Sequence, residues 1–402
     1  TIGDIATRPQ NKNRWMDSFE VKAPQYYQTY GLGFFEYFTF CRDLGAEPLP
    51  ILNCGMSCQF EKGGHAPVDG LDPFIRDALD LIEFANGPAT SEWGAKRAAM
   101  GHPEPFGLKY LGIGNEQWGP EYIERYAPFA KAVREKHPEI QLVMASGPLV
   151  WNDQWKFIMG EVRKGAFPVD LVDEHFYRPP EWFLEHADAY DAYDRKGPKV
   201  FAGEYAAHEK NRASTLRAAV AEAAMMAGFL RNADHVVMAS YAPLLAKKDR
   251  TQWRPDLIYF DNRSICLTPS YHVQALYGRN RPDAILPITV ANNDLPAIDG
   301  KPPKGAAKRL YSAAGLDRAT GETVLFVTNP ASTPVEATIA RASGKFTSET
   351  AKVTVLTGET PDAVNTLEAP NTVRPRESTC AMTPTGLRTV FAPCSVTVLR
   401  FK

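Results

Sequence analysis

Apolar and polar positions follow two rhythms along this chain. From about residue 31 to 280, short apolar runs alternate with stretches of helical period. Residues 31–44 place Leu32, Phe35, Phe38 and Cys41 at helical spacing, with Gly45 as a stop. A strand is predicted over 47–53 and a helix over 72–85, with Asp72 as N-cap and Pro73 in the first turn. Residues 86–107 read as a loop with Trp93 near its tip, and 108–114 as a buried strand. Helices over 120–136, 152–164, 180–194 and 212–231 then alternate with strands over 141–147, 169–177, 199–205 and 235–245. A last helix falls at 268–277. This interval predicts parallel strands with right-handed crossovers, an α/β class built as a (β/α)8 TIM barrel, of which six strands are counted.

Near residue 280 helical periodicity stops. Short β-rich runs over 322–329, 351–356 and 395–401 sit between Pro, Gly, Thr and Asn turns. They predict an antiparallel β-sandwich. The expected domains are therefore a barrel over 1–280, incomplete at its N-terminus, and a sandwich over 281–402. Residues 1–30 lack periodicity and read as a long loop.

Charge excludes some classes. With 45 basic and 47 acidic residues the formal charge is −2, so nucleic acid and anionic membrane surfaces are not expected partners. No apolar run approaches the roughly 20 residues of a membrane helix. Cys54 and Cys58 stand four apart without a second pair at zinc spacing, so no metal or other cofactor is expected. Whether Cys380 and Cys394 pair is left open by the sequence.

The chemistry concentrates at strand ends. The run Leu108-Lys-Tyr-Leu-Gly-Ile-Gly-Asn-Glu-Gln-Trp118 delivers Glu116, and Lys199-Val-Phe-Ala-Gly-Glu-Tyr-Ala206 delivers Glu204. In a parallel barrel all C-terminal strand ends face one mouth, and two carboxyl groups there are the equipment of a glycoside hydrolase. Asn53, Asn115, His175, Tyr177 and Tyr241 are further candidates. Asn53 equally suits a turn cap, and Tyr241 suits packing. Trp93, Trp118 and Trp151 serve either as sugar platforms or as anchors. Period 2 puts His175 and Tyr177 on one side of their strand. Gly203 allows close backbone approach, and the Tyr205 hydroxyl is placed to tune the Glu204 carboxylate.

Gly114-Asn-Glu-Gln-Trp118, Val172-Asp-Glu-His-Phe-Tyr-Arg-Pro-Pro-Glu-Trp-Phe183 and Val200-Phe-Ala-Gly-Glu-Tyr-Ala-Ala207 resemble glycoside hydrolase family 51, the α-L-arabinofuranosidases. Arg254-Pro-Asp-Leu-Ile-Tyr-Phe-Asp-Asn262, Ser270-Tyr-His-Val-Gln274 and Leu44-Gly-Ala-Glu-Pro48 continue the resemblance. It implies a retaining, exo-acting enzyme with Glu116 as acid/base and Glu204 as nucleophile, and carboxyl groups about 5–5.5 Å apart. It also implies that Asn115, His175, Tyr177 and Gln274 line the pocket for the terminal sugar, with Trp118 beside it, and that the sandwich is a jelly roll. The substrate expected is arabinoxylan, arabinan or an arabino-oligosaccharide. An endoglucanase or xylan-active relative, and a non-catalytic carbohydrate-binding protein, are the alternatives. In such a family two barrel strands precede the segment resembling the start of this chain. An N-terminal fragment supplying them is therefore an expected partner, self-association stays open, and a periplasmic or secreted setting is favoured over a cytoplasmic one.

Overall fold

The computed structural model describes residues 32–60, 64–251, 253–295 and 308–402, and elsewhere only the backbone of 11–12 and 27–28. Apart from those four positions, the loop reading of 1–30 lies outside the described residues. The chain forms two compact units, Thr1–Phe176 with Arg195–Gly203, and Tyr177–Asp194 with Glu204–Lys402.

The first unit holds α1 (Phe34–Leu44), β1 (Ile51–Leu52), α2 (Asp72–Asn86), α3 (Glu92–Ala99), β2 (Tyr110–Ile113), α4 (Gly119–Lys136), β3 (Gln141–Ala145), α5 (Asp153–Lys164) and most of β4 (Leu171–Arg178). Strands β1 to β4 pair in parallel, with Ile51 opposite Gly112, Tyr110 opposite Gln141 and Val143 opposite Leu171. Leu111, Ile113, Leu142 and Met144 meet Ile82, Phe84, Phe129 and Val133 in a closed core. Residues 111–113, 142–145 and 171–176 are buried without a break, as a parallel sheet covered on both faces requires. Helix α1 stops at Gly45, whose φ of 67° is a left-handed cap that a side chain would strain.

Three expectations change here. Strand β1 has two residues instead of seven, because Pro48 and Pro50 cannot donate to a ladder. Asp72 is the first residue of α2, not its cap; Leu71 takes that place. The predicted loop over 86–107 contains α3, started by the Ser91 hydroxyl accepting from the Gly94 amide at 3.2 Å. Trp93 therefore sits on a helix and packs against the core, with the Lys96 ammonium 3.4 Å from its ring centre. The fully buried Arg97 closes the segment by donating to the carbonyls of Phe84, Gly87, His102 and Pro103.

The sheet continues through β5 (Lys199–Ala207) and β6 (Val236–Tyr241), and its six strands lie in chain order as part of a (β/α)8 barrel. In the second unit α6 (Pro180–Glu185) is shorter than predicted and gives way to a single 3-10 turn at Ala189–Ala192. The chain bends there because Asp188 reaches Arg231 at 2.6 Å and Asp191 accepts from Asn232 at 2.6 Å. Both partners close α7 (Leu216–Arg231), an Ala-rich helix buried along almost its whole length. A small sheet follows, β7 (Leu245–Lys247), β8 (Ile258–Phe260) and β9 (Ile265–Leu267), and then α8 (Pro269–Arg279).

The sandwich strands are β10 (Ala284–Leu286), β11 (Tyr311–Asp317), β12 (Glu322–Asn329), β13 (Val335–Ile339), β14 (Thr350–Leu356), β15 (Arg376–Ala381), β16 (Leu387–Phe391) and β17 (Ser395–Phe401). One antiparallel sheet runs β10-β11-β12-β17-β14-β15, and β13 pairs with β16. Leu325, Val327, Phe346, Phe391, Leu399 and Phe401 fill the space between them. All six cysteines are free, Cys380 and Cys394 included.

Helix α7 also carries a fully buried carboxyl, Glu222, which accepts from the Ala207 amide at the end of β5 at 2.8 Å. Burial pushes its pKa up from 4.5 to about 8. The folded protein holds this proton where the unfolded chain has released it. The stability it supplies is full below about pH 4.5 and is lost as pH rises through about 8. Glu222→Gln, which fixes the neutral form, is expected to flatten that decline in thermal melts between those limits. An unchanged slope would contradict this account of Glu222.

Candidate active site

The first unit builds a chain of polar contacts around Glu116. Strand β2 ends at Ile113, and Glu116 then adopts a φ of 57°, a left-handed conformation uncommon for a residue with a side chain. Such strain persists only where the surroundings over-determine it. His175 supplies one determinant. Its Nδ1 lies 2.9 Å from Glu116 Oε1, and its Nε2 lies 3.1 Å from Asp173 Oδ2. His175 is 1% exposed and Asp173 4%. Both project from one face of β4, as the two-residue period requires. On the opposite face Glu174 accepts from the Trp155 indole at 2.9 Å.

Asp173 is also why residue 203 is glycine. A Cβ at Gly203 would fall 2.0 Å from Asp173 Oδ1. The expected close approach at Gly203 is thus to a buried carboxylate on the neighbouring strand. Sequence reasoning quoted Asp173 inside its motif without assigning it. Its position two residues before His175 was the available signal.

Around Glu116, Asn115 is exposed, and Trp118 is half-buried at the start of α4. The Gln59 side chain clasps the Trp118 backbone on both sides at 2.9 and 3.1 Å, and Phe60 lies 5.1 Å from its ring. Asn53 accepts from the Gly55 amide at 2.8 Å, the turn-capping role weighed for it.

The second unit builds a cluster around Glu204. Tyr177 donates its hydroxyl to Glu204 Oε2 at 2.7 Å. This corrects the sequence reading, which gave that place to Tyr205. The Tyr205 hydroxyl instead pairs with Gln274 and is fully buried. The Tyr177 ring stacks on His208 with centres 5.1 Å apart, and Trp253 meets it edge-on at 5.4 Å. Burial, followed by the Arg212 charge, lowers the His208 pKa to about 3, so the stacked ring is neutral. His208 and Trp253 were not anticipated. They are brought to Tyr177 from separate loops, with no local pattern to announce it. Tyr241 is buried, consistent with the packing role weighed for it.

Each unit thus carries one glutamate near the end of a parallel strand, with hydrogen-bond partners of its own. Comparison with known proteins narrows the class. The α-L-arabinofuranosidase 1 domain matches residues 1–195, and the α-L-arabinofuranosidase C-terminal domain matches residues 190–395. The chain belongs to the glycoside hydrolase family 51 α-L-arabinofuranosidases. It is 44% identical over 296 residues to the extracellular exo-α-L-arabinofuranosidase of Streptomyces chartreusis, covering 71% of this chain and 33% of that protein. It is 32% identical over 382 residues to α-L-arabinofuranosidase 1 of Arabidopsis thaliana, covering 92% of this chain and 52% of the relative. The solved structure of an arabinose-bound family 51 arabinofuranosidase superposes with a TM-score of 0.84 at 31% identity. That match covers 99% of this chain and 60% of the other. The chain thus spans between a third and three fifths of the length of these relatives.

Proposed function

We propose that the protein is a retaining exo-α-L-arabinofuranosidase that removes terminal arabinofuranose from arabinoxylan or arabinan side chains. The observation that carries this reading is the partnering of the two strand-end glutamates, Glu116 with His175 and Glu204 with Tyr177. Glu204 attacks the anomeric carbon while Glu116 protonates the departing glycosidic oxygen. Glu116, now ionised, then takes a proton from the water that releases the sugar from Glu204. Asn115, Gln274 and Trp118 complete the sugar-binding group.

The two partners suit this division. Both His175 nitrogens face carboxyl groups, so Asp173 fixes the imidazole and the imidazole in turn orients Glu116. The Tyr177 hydroxyl acts on Glu204 differently, fixing its orientation and spreading its charge.

His175→Ala is expected to lower turnover about tenfold or more, out of the roughly 10²–10⁴ that a positioned acid supplies. Unfolding temperature should fall comparatively little. An unchanged rate with a large drop in melting temperature would make His175 a packing residue only. The activity itself is tested by nitrophenol release from aryl α-L-arabinofuranoside against aryl cellobioside. Preference for the cellobioside would replace this reading with an endoglucanase.

The proposal extends to a division near residue 280 between catalytic barrel and accessory sandwich. It also includes a strand-bearing N-terminal segment that pairs along β1, and a periplasmic or secreted setting. The last draws on the extracellular relative from Streptomyces chartreusis.

A further inference from the structure

The second unit contains a cavity of about 260 Å³ whose walls include Arg212, Ser214, Lys248, Arg254, Tyr259 and Thr366. It is smaller than the roughly 300–1,000 Å³ of a drug-sized ligand pocket and of a size for one sugar residue. Its charge is lopsided. Lys248 is engaged by Glu368 at 2.8 Å. Among the described residues, no ion pair closes on Arg212 or Arg254. The Ser214 hydroxyl is enclosed beside that of Tyr259. The wall behind is rigid, because Asn365 is bonded to the Leu267 carbonyl and to both backbone groups of Val373.

The cavity adjoins the Glu204 cluster through side-chain contacts. The Arg212 guanidinium lies 5.5 Å from the Trp253 ring centre, Trp253 meets Tyr177 at 5.4 Å, and Tyr177 donates to Glu204 at 2.7 Å. Stacked rings lead to two guanidiniums outside any ion pair, that of Arg212 resting on the His208 ring at 3.1 Å, and form a surface for a sugar that ends in an oxyanion. We propose that this cavity binds the carboxylate of a uronic acid residue on the glycan, beside the sugar held at Glu204. The part that concerns substrate rests on the arabinofuranosidase reading. Arg212 and Arg254 take the carboxylate, and the Trp253 edge borders the ring. The buried Asp256, which senses Arg254, offsets little of that charge in mildly acidic conditions, since burial pushes its carboxyl up to about 7.

The test is calorimetric titration of the full protein with a methyl hexuronoside, the corresponding methyl hexoside and inorganic phosphate. The uronoside is expected to bind about tenfold or more tightly than the hexoside, in keeping with a charge-assisted bidentate contact. Arg254→Gln should remove most of that preference while aryl arabinofuranoside turnover stays within about twofold. Equal or absent binding of the two glycosides, or a preference that survives Arg254→Gln, overturns the proposal. Phosphate binding as tightly as the uronoside overturns the assignment to a glycan. Loss of arabinoside turnover in the wild-type protein with uronoside preference intact would count against the activity reading alone.

Discussion

Glu204→Ala is expected to lose essentially all turnover, with azide restoring it through a glycosyl azide of inverted configuration. Glu204 lies near the C-terminal end of β5, and its Oε2 is held by Tyr177 at 2.7 Å. A nucleophile cannot be bypassed by a better leaving group, because both halves of a double displacement run through its covalent bond to the sugar. Glu116→Ala should behave differently. Activated aryl substrates need little protonation and should be relatively spared, and azide should yield a product of retained configuration. Swapped configurations in the two variants would reverse the roles assigned to Glu116 and Glu204. The comparison is made by product analysis in the presence and absence of azide.

The second large effect is expected at a residue with no side chain. Gly203→Ala would place a methyl group 2.0 Å from Asp173 Oδ1 and 2.8 Å from the Phe201 ring. Asp173 has nowhere to go, since its other oxygen holds the buried His175 at 3.1 Å. Overpacking of this kind costs about 1–3 kcal/mol, and the displaced carboxylate carries His175 and Glu116 with it. Both melting temperature and turnover should therefore fall. The clash is separable by a double-substitution cycle, because Asp173→Ala removes the atom the new methyl meets. Gly203→Ala should then cost much less in the Asp173→Ala background. Equal cost in both backgrounds would show that the glycine answers to something other than Asp173.

Much of this arrangement is legible in the chain, for identifiable reasons. The strand ends at Glu116 and Glu204 stand out because apolar runs break abruptly into polar residues. The period of two in His175 and Tyr177 assigns them one face without any structure, while Asp173, one step earlier in the same period, is left without a role there. Gly45 announces the end of α1 and adopts the left-handed geometry that its position needs. The sandwich strand at 322–329 is bounded by turn residues at both ends, and that at 395–401 by Pro393 before it. Other features depend on contacts between distant segments. Helix α3 is short, and part of its stability comes from Arg97 reaching carbonyls on either side, which no periodicity reveals. Strand β1 shrinks because the prolines that look apolar in a pattern cannot serve a ladder. Tyr205 stands beside Glu204 in sequence, yet strand alternation turns its hydroxyl to Gln274. The place at Glu204 goes to Tyr177 from the neighbouring strand.

Proton NMR of the anomer first released from an aryl α-L-arabinofuranoside tests the central claim most directly. The account predicts α-L-arabinofuranose ahead of its mutarotation, since two successive displacements at Glu204 restore the starting configuration. Initial appearance of the β-anomer would mean a single displacement by water, with no covalent role for Glu204.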